Sequence, residues 1–364
     1  MSAIELEQLL TVMVEHEGSD LILKAGAHPF MRVNGKLVPI GETRADEEAI
    51  ARAASELMGK ARRRQFEQSR EINFAFERPP SGRFRANVLW QRGTMAMVIR
   101  RVPRALATLE ELHLPAEPLR TLLEARQGLI LVTGATGSGK STTVAAMLNT
   151  LNHAHPVHIV TLEDPVEFQF EEIQAVINQR EVGTDTLTFT EGLKHVLRQS
   201  PDVLFLSDVR DLETMESALF AAESGQLVLT CLHTTNVVTT IERVIGFFPP
   251  HQHGLIRIRL AVVLRGIVSL RLVPRRDGGG RLPVCELLAA TPRVRELVRT
   301  GDTGAVPLAI QDGAMDGMQT FTQALYQRCK RGEIAVEEAM RFADSPEELQ
   351  LALQEIRSGR DARG

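Results

Sequence analysis

The sequence has little of several features that define common protein classes. Only three of its 364 residues are cysteines, and Cys231, Cys285 and Cys329 lie far apart, which argues against a disulfide scaffold or a zinc knuckle. Aromatic residues make up 4% of the chain and the formal net charge is −4, so a basic, aromatic-rich surface for nucleic acid is not expected. We therefore expect cysteines that pack in a reducing compartment, and no nucleic-acid partner.

Long apolar runs are also missing. A helix that spans a bilayer needs about 20 apolar residues, and the nearest approach, residues 255–270, is interrupted by Arg257, Arg259 and Arg265. The first residues are acidic and lack the basic start and apolar stretch of a signal peptide. The sequence predicts a cytoplasmic protein with no transmembrane segment.

One glycine-rich stretch fits the phosphate-binding loop pattern G-x-x-x-x-G-K-[ST]. An apolar, β-prone run over 128–133 precedes it, and a helical pattern over 142–149 follows it, so the motif stands between a predicted strand and a predicted helix. The predicted nucleotide-binding residues of this stretch are Gly134, Ala135, Thr136, Gly137, Ser138, Gly139, Lys140, Ser141 and Thr142.

The residue types suit a triphosphate. Glycines let successive backbone N–H groups point at phosphate oxygens, and the positive end of the helix adds to that attraction. Lys140 would supply a charge for the β- and γ-phosphates, and Ser141 would offer its hydroxyl to Mg²⁺. The expected ligands are therefore ATP and Mg²⁺.

The chain divides into four predicted parts. Residues 1–102 read as a small α+β domain with antiparallel strands at 20–24, 30–40, 71–76, 83–90 and 94–101, the second being a hairpin that turns at Asn34-Gly35. Residues 103–118 read as a proline-bounded linker. Residues 119–290 alternate strands (128–133, 157–162, 203–207 and 226–231) with helices, as α/β domains do, and 291–364 are helical.

Polar residues follow three of the predicted core strands. Glu163, Asp208 and His233 stand where these strands end, and parallel strands place their carboxyl ends, and so their ligands, at one edge of a sheet. Asp208 could hold Mg²⁺ or orient the attacking water, and Glu163 is the other candidate base. Each carboxylate could instead be a helix cap or a turn residue. His233 could sense the γ-phosphate, bridge to the next subunit, or be a satisfied polar group.

Four arginines form a further candidate set. Arg83 and Arg85 alternate along one predicted strand and so project from one face, and Arg100 and Arg101 end the next strand. They could be solvated surface residues, or they could reach a nucleotide held by another domain or subunit.

With these motifs in view, the chain resembles the retraction ATPases of type IV pili, within the secretion-ATPase superfamily. The Walker A match is Gly134–Ser141, an "Asp box" matches Thr161–Phe168, the Walker B region matches Ser200–Thr214, and a "His box" matches Gly225–Thr235. The resemblance covers nearly the whole length. Segments 81–85, 90–92 and 317–326 favour the PilU branch of this PilT/PilU family over the PilT branch.

The resemblance implies a PAS-like N-terminal domain and a RecA-like C-terminal domain, assembled as a homohexamer with nucleotide between the domains. It implies an inner-membrane platform protein of the pilus as partner, with a second retraction ATPase as a further candidate, and a location at the cytoplasmic side of the inner membrane. In that setting Arg83, Arg85, Arg100 and Arg101 become natural nucleotide-facing residues.

One position departs from the family pattern, which has Glu at the Walker B acid where this chain has Asp208. A carboxylate shortened by one CH₂ sits about 1 Å from the usual place, and such a shift can cost roughly 100-fold in rate. The first hypothesis is an ATP-hydrolysing motor for pilus retraction and twitching motility. The alternative is a nucleotide-binding accessory subunit with little turnover. A RecA-like nucleic-acid motor is permitted by the fold but disfavoured by charge and aromatic content.

Overall fold

The computed structural model describes residues 5–33, 36–102 and 106–361, without the side chains of 61 and 355–361. The chain forms two compact units: the first holds the described residues up to 102 together with Pro165–Gln169, and the second holds Leu106–Asp164 and the described residues from Phe170 onward. Each unit is built around its own sheet.

The first unit combines an antiparallel sheet with two helices. Its sheet has the strand order β3-β2-β1-β6-β5-β4, and every neighbouring pair is antiparallel. Its helices are α1 (Leu6–Glu15) and α2 (Glu47–Ser69), and its strands are β1 (Asp20–Lys24), β2 (Phe30–Val33), β3 (Lys36–Pro39), β4 (Glu71–Arg78), β5 (Gly82–Gln91) and β6 (Thr94–Arg101).

Alternation along the strands decides which face of this sheet is buried. In β5 the residues Phe84, Ala86 and Val88 are buried in a core that α1 and α2 complete, while Arg83 and Arg85 project from the opposite face. The period-two pattern read from the sequence is thus confirmed.

The long helix and the hairpin of the first unit each have one notable feature. Helix α2 is interrupted at Gly59, where φ is 64°. The predicted hairpin is present as β2 paired with β3, and its turn at Asn34-Gly35 lies outside the described residues.

The second unit is built on a seven-stranded sheet with the order β13-β12-β7-β11-β10-β8-β9. All neighbouring pairs are parallel except β12 with β13. Its strands are β7 (Gly128–Gly134), β8 (His158–Glu163), β9 (Val176–Glu181), β10 (Val203–Leu206), β11 (Leu227–Leu232), β12 (Leu264–Pro274) and β13 (Arg281–Ala289).

Helices surround this second sheet. They are α3 (Ala116–Leu123), α4 (Lys140–Ala154), α5 (Phe189–Val196), α6 (Leu212–Glu223), α7 (Val237–Gly246), α8 (His253–Val263), α9 (Pro292–Thr300), α10 (Val306–Asp312), α11 (Phe321–Lys330), α12 (Val336–Phe342) and α13 (Pro346–Asp361). Both faces of the sheet are buried: Leu129 and Leu131 of β7 enter one apolar core, and Ile130 and Val132 enter the other. Burial on both faces explains why the strand reads as a continuous apolar run.

The four core strands predicted from sequence agree with β7, β8, β10 and β11 to within about a residue at each end, which is the usual precision of strand boundaries. The domain boundaries at 102, 118 and 290 stay predictions. Within the predicted linker, Leu109 and Leu114 are buried in the core of the second unit, and α3 begins at Ala116. In the described ranges, no helix combines the length and the apolar composition needed to cross a bilayer.

Candidate active site

The predicted site residues of the second unit lie at one edge of its sheet. Strands β8, β10, β11 and β7 are neighbours and run parallel, so their carboxyl ends share an edge. Glu163 ends β8, Asp208 follows β10 by two residues, His233 follows β11, and Gly134 ends β7. The sequence prediction that these four strands deliver their polar residues to the same edge is confirmed.

The loop between β7 and α4 needs glycine for two physical reasons. Gly134, Gly137 and Gly139 have φ values of 148°, 78° and 96°, in the region that side chains disfavour. A Cβ atom on Gly134 would lie 2.3 Å from Ser138 Oγ and 2.6 Å from the Leu270 carbonyl oxygen. The loop is therefore held by backbone conformation and by close packing, and it leads directly into the N-terminus of α4.

Lys140, the first residue of α4, is buried and folds back over the loop. Its Nζ atom donates to the carbonyl oxygens of Gly134 at 2.8 Å and of Ala135 at 3.0 Å. Ser141 and Thr142 are half-buried in the first turn of the helix, whereas Ala135, Thr136 and Gly137 are exposed. The ammonium group is thus fixed at the centre of the loop, and the loop residues face outward.

Asp208 lies in a cluster of charged side chains that joins the ends of three strands. Its Oδ2 atom accepts from Arg210 Nε at 2.8 Å and lies 3.4 Å from His233 Nε2. Arg210 Nη1 lies 3.7 Å from Asp164 Oδ2, and the hydrogen bond from Arg210 to Asp208 raises the pKa of the guanidinium above its usual value. The Oδ1 atom of Asp208 is buried and has no hydrogen-bond partner in the part of the chain that the structure describes. One oxygen of the carboxylate is therefore engaged, and the other is buried without a hydrogen-bond partner among the described residues.

Glu163 has polar partners on β8 and β9. The residue is buried, and its Oε1 atom accepts from Thr161 Oγ1 at 2.6 Å and from Gln179 Nε2 at 3.2 Å. Neighbouring strands lie about 4.8 Å apart, so β10 is about 10 Å and β8 about 14 Å from β7 across the sheet. Asp208 thus follows the strand two positions from β7 in the sheet, and Glu163 ends the strand three positions from β7.

The four predicted arginines belong to the first unit, where they line the face of the sheet opposite its helices or end its strands. Arg100 Nε donates to Asp20 Oδ1 at 2.8 Å, and Arg85 is the cross-strand neighbour of Arg100. Arg85 Nη1 lies 3.5 Å from Glu167 Oε1. Arg83 and Arg101 are half-buried. Arg100 therefore has a carboxylate partner within its own sheet, which the sequence prediction did not include.

A cavity of about 240 Å³ adjoins the phosphate loop within the second unit. Arg271 is fixed at its wall: Nη2 lies 2.6 Å from Asp344 Oδ1, and the guanidinium carbon lies 3.7 Å from the ring centre of Phe321. The other lining residues are Ala135, Thr136, Gly137, Ser138, Thr235, Leu270, Leu272, Arg281 and Phe342. Apolar walls and the fixed guanidinium of Arg271, next to an anion loop, suit the non-phosphate part of a nucleotide.

Two site residues were missed from the sequence. Arg210 carries a signal in hindsight, because it stands two residues after Asp208 in Asp208–Asp211 (DVRD). Arg271 carries none, because its role depends on Phe342 and Asp344, which are more than 70 residues away in the chain. Among the described residues, no group of three or more His, Cys, Asp or Glu side chains could hold a metal ion.

Comparisons with known proteins agree with this geometry. The model of the family described as "Type II/IV secretion system protein" matches residues 7–341. The chain is 42% identical to the type IV pilus ATPase PilU of Pseudomonas aeruginosa over 96% of this chain and 92% of that protein. It is 39% identical to the type IV pilus retractation ATPase PilT of the same species, over 94% of this chain and 99% of that protein.

Among solved structures, the crystal structure of the pilus retraction motor PilT with bound ADP superposes with a TM-score of 0.89 at 39% identity, covering 95% of this chain and 99% of that chain. This likeness confirms the predicted fold class, an α/β protein with an N-terminal α+β PAS-like domain before a RecA-like P-loop domain. The chain therefore belongs to the Type II/IV secretion system protein family, as an ATPase of the PilT/PilU kind.

Proposed function

We propose that this protein is the ATP-hydrolysing motor of a type IV pilus and assists pilus retraction and twitching motility. The observation that carries the proposal is the shared sheet edge, where the phosphate loop, Asp208 and His233 follow neighbouring parallel strands. Hydrolysis of a γ-phosphate needs an anion cradle, a positioned carboxylate and charge stabilisation, and this edge offers all three.

In the proposed mechanism, the loop amides and Lys140 bind the β- and γ-phosphates. The buried, unpartnered Oδ1 of Asp208 and the hydroxyl of Ser141 fit a magnesium–water shell, and these two residues would hold the ion. Bound Mg²⁺ would neutralise the charge that develops on the phosphate oxygens. Asp208 and Glu163 are the candidate bases for the attacking water, and His233 would respond to the γ-phosphate.

For assembly, we propose a homohexameric ring that acts on an inner-membrane platform protein of the pilus from the cytoplasmic side, with a second retraction ATPase as a further candidate partner. In that ring Arg83, Arg85, Arg100 and Arg101 are the proposed nucleotide-facing residues of the first unit. The near full-length similarity to PilU and PilT supports this assembly. Sedimentation of the purified protein with ATP is expected to give a hexamer.

The test of the enzymatic proposal is phosphate release by the purified protein with ATP and Mg²⁺. Lys140→Ala is expected to lower the rate at least 100-fold, because the variant lacks the only side-chain charge inside the loop. Lys24→Ala changes an exposed lysine of the first unit and serves as the matched control. Equal rates in the wild type and Lys140→Ala would refute the proposal.

A second candidate function is an accessory subunit that binds ATP and turns it over slowly. The observation that favours it is the engagement of Asp208 by Arg210 and His233, on a side chain one CH₂ shorter than glutamate. Asp208→Glu is then expected to raise the rate of phosphate release at least 10-fold, whereas a fast wild type that the substitution slows would exclude the accessory role.

A further inference from the structure

A chain of four hydroxyl groups lies beneath the phosphate loop. Thr234 Oγ1 lies 2.7 Å from Thr240 Oγ1, Thr240 Oγ1 lies 3.4 Å from Thr133 Oγ1, and Thr133 Oγ1 lies 2.8 Å from Ser269 Oγ. We call Thr234, Thr240, Thr133 and Ser269 the hydroxyl chain. Thr240, Thr133 and Ser269 are fully buried, and Thr234 is half-buried.

The hydroxyl chain joins four separate elements of the second unit. Thr133 is the residue before Gly134 on β7, Ser269 lies opposite it on β12, Thr240 is on α7, and Thr234 is in the segment after β11. Two of its members lie where the chemistry is expected: Thr133 directly precedes the phosphate loop, and Thr234 directly follows His233. The contacts therefore connect the loop that binds phosphate with the segment that carries the imidazole.

Proton counting sets the direction of the hydrogen bonds at Thr240. Thr240 Oγ1 makes its shortest contact, 2.6 Å, with the carbonyl oxygen of Asn236, which can only accept. A hydroxyl has a single proton, so Thr240 is the acceptor in the 2.7 Å contact with Thr234 and supplies no proton to the 3.4 Å contact with Thr133. The contact between Thr234 and Thr240 links the segment that carries His233 to α7.

A threonine in a helix often bonds the carbonyl four residues earlier with no further role. Thr150 of α4 does this, donating to Ala146 at 2.8 Å. Thr240 differs because its oxygen also contacts two other hydroxyls from other elements. Valine would fill the same volume and remove these contacts, so packing does not require a hydroxyl here.

We propose that Thr240 is a positioning residue for ATP hydrolysis: it holds the His233-Thr234 segment in register with the strand beneath the phosphate loop. The inference rests on the proposed function, because it assigns His233 a part in the reaction. Thr240 is fully buried, and it acts only through the segment it holds.

The test compares three variants by kcat and KM for ATP. Thr240→Val is expected to lower kcat about 10- to 100-fold, because a misplacement of about 1 Å costs that much, while KM changes less than about threefold. Thr240→Ser keeps the hydroxyl and is expected to retain kcat within about threefold of wild type. Thr150→Val removes an equivalent helix hydrogen bond far from the loop and is expected to leave kcat unchanged.

A double-mutant cycle separates positioning from a general loss of stability. His233→Ala is expected to lower kcat, and adding Thr240→Val to it is expected to lower kcat less than about twofold further, because the segment is already without its functional side chain. Multiplicative losses, an unaffected Thr240→Val, or an unaffected His233→Ala would each overturn the proposal. If Thr240→Val does not fold, the same cycle with Thr234→Val at the half-buried end decides the matter.

Failure of this inference is distinguishable from failure of the proposed function. If wild-type phosphate release does not depend on Lys140, the ATPase proposal fails. If wild-type release depends on Lys140 but Thr240→Val keeps its kcat, only the positioning role fails.

Discussion

The two sheets of this protein place polar side chains in different ways. The antiparallel sheet of the first unit has helices on one face, so charged residues such as Asp20, Arg85 and Arg100 belong to its strands and lie on the other face. The parallel sheet of the second unit is buried on both faces, and its candidate catalytic groups stand at strand ends. Burial therefore decides where in each sheet chemistry can be placed.

The two arrangements also differ in what positions each group. In the first unit, cross-strand register sets Asp20 opposite Arg32 on one side and Arg100 on the other, and these residues satisfy each other. In the second unit, the partners of Asp208 come from the loops that follow β10 and β11. Register is robust to local change, whereas loop conformation depends on individual glycines and hydrogen bonds.

The largest effect is expected from the substitution of Gly134 in the second unit by alanine, and the same change at Gly93 in the first unit serves as the comparison. Gly134→Ala places a Cβ against Ser138 Oγ and the Leu270 carbonyl, so the loop must shift. We expect it to abolish nucleotide binding and to lower the free energy of unfolding by about 3 kcal/mol. Gly93, in the turn between β5 and β6, has φ of 79° and open space around it, so Gly93→Ala should cost only about 1 kcal/mol.

Urea unfolding and the fluorescence of a labelled ADP measure these two effects on the same samples. Gly137→Ala is the control inside the loop, since Gly137 has a positive φ but no neighbour within 4 Å of its Cβ position. If Gly134→Ala binds nucleotide as tightly as Gly137→Ala does, close packing is not what shapes the loop.

The next effect concerns Asp20 and its arginine partners, Arg32 and Arg100, in the sheet of the first unit. Burial raises the pKa of Asp20, but hydrogen bonds from Arg100 and Ser19 and the charges of Arg100 and Arg32 outweigh it and hold the pKa below its usual value. Asp20→Asn removes these charged hydrogen bonds, and we expect the free energy of unfolding to fall by about 2 kcal/mol near pH 7. Asp277→Asn breaks a more exposed pair with Arg275 and is expected to lower stability less than Asp20→Asn does.

The sign of the pH dependence follows from the lowered pKa. Asp20 is charged and stabilising above pH 4, and its contribution disappears as the pH falls through the folded-state value. Wild type should therefore lose its advantage over Asp20→Asn in acid. A difference between the two proteins that stays constant from pH 7 to pH 3 in thermal unfolding would contradict this account.

The same contrast explains what the sequence could predict. The strand β7 and its loop were predictable because each residue type there is constrained: apolar side chains by burial on both faces, and Gly134 by the absence of space for a Cβ. The alternation of β5 was predictable because one face is buried. The phosphate loop, the strand β7 and the buried face of β5 were predictable because each depends on residues close together in the sequence.

What escaped prediction depends on contacts between distant residues. The edge strand β9 (VINQRE) mixes apolar and polar residues without a clear period, and only its pairing with β8 defines it. The partnership of Asp208 with Arg210 and His233 depends on the path of two loops, and the hydroxyl chain depends on side chains from four elements. Residue composition and motif spacing do not predict such contacts.

The smallest effect is expected at Glu286, a buried carboxylate on β13 whose Oε2 accepts from the Val237 N–H at the start of α7 at 2.7 Å. Burial raises its pKa to about 7, the charge of Asp344 adds to the rise, and the Val237 hydrogen bond and the charge of Arg271 oppose it. The folded protein then holds this proton more tightly than the unfolded chain, in which the pKa is near 4.5, so the contribution of Glu286 to the free energy of unfolding falls as the pH rises from about 4.5 to about 7.

Glu286→Gln keeps an acceptor for Val237 and cannot ionise, so it should be more stable than wild type by about 1 kcal/mol at pH 8 and equal to it at pH 4.5. Urea unfolding at the two pH values measures the difference in the free energy of unfolding. A Glu286→Gln protein that is less stable than wild type at pH 8 would contradict this account, because it would mean that the start of α7 needs a charged carboxylate at this position of β13.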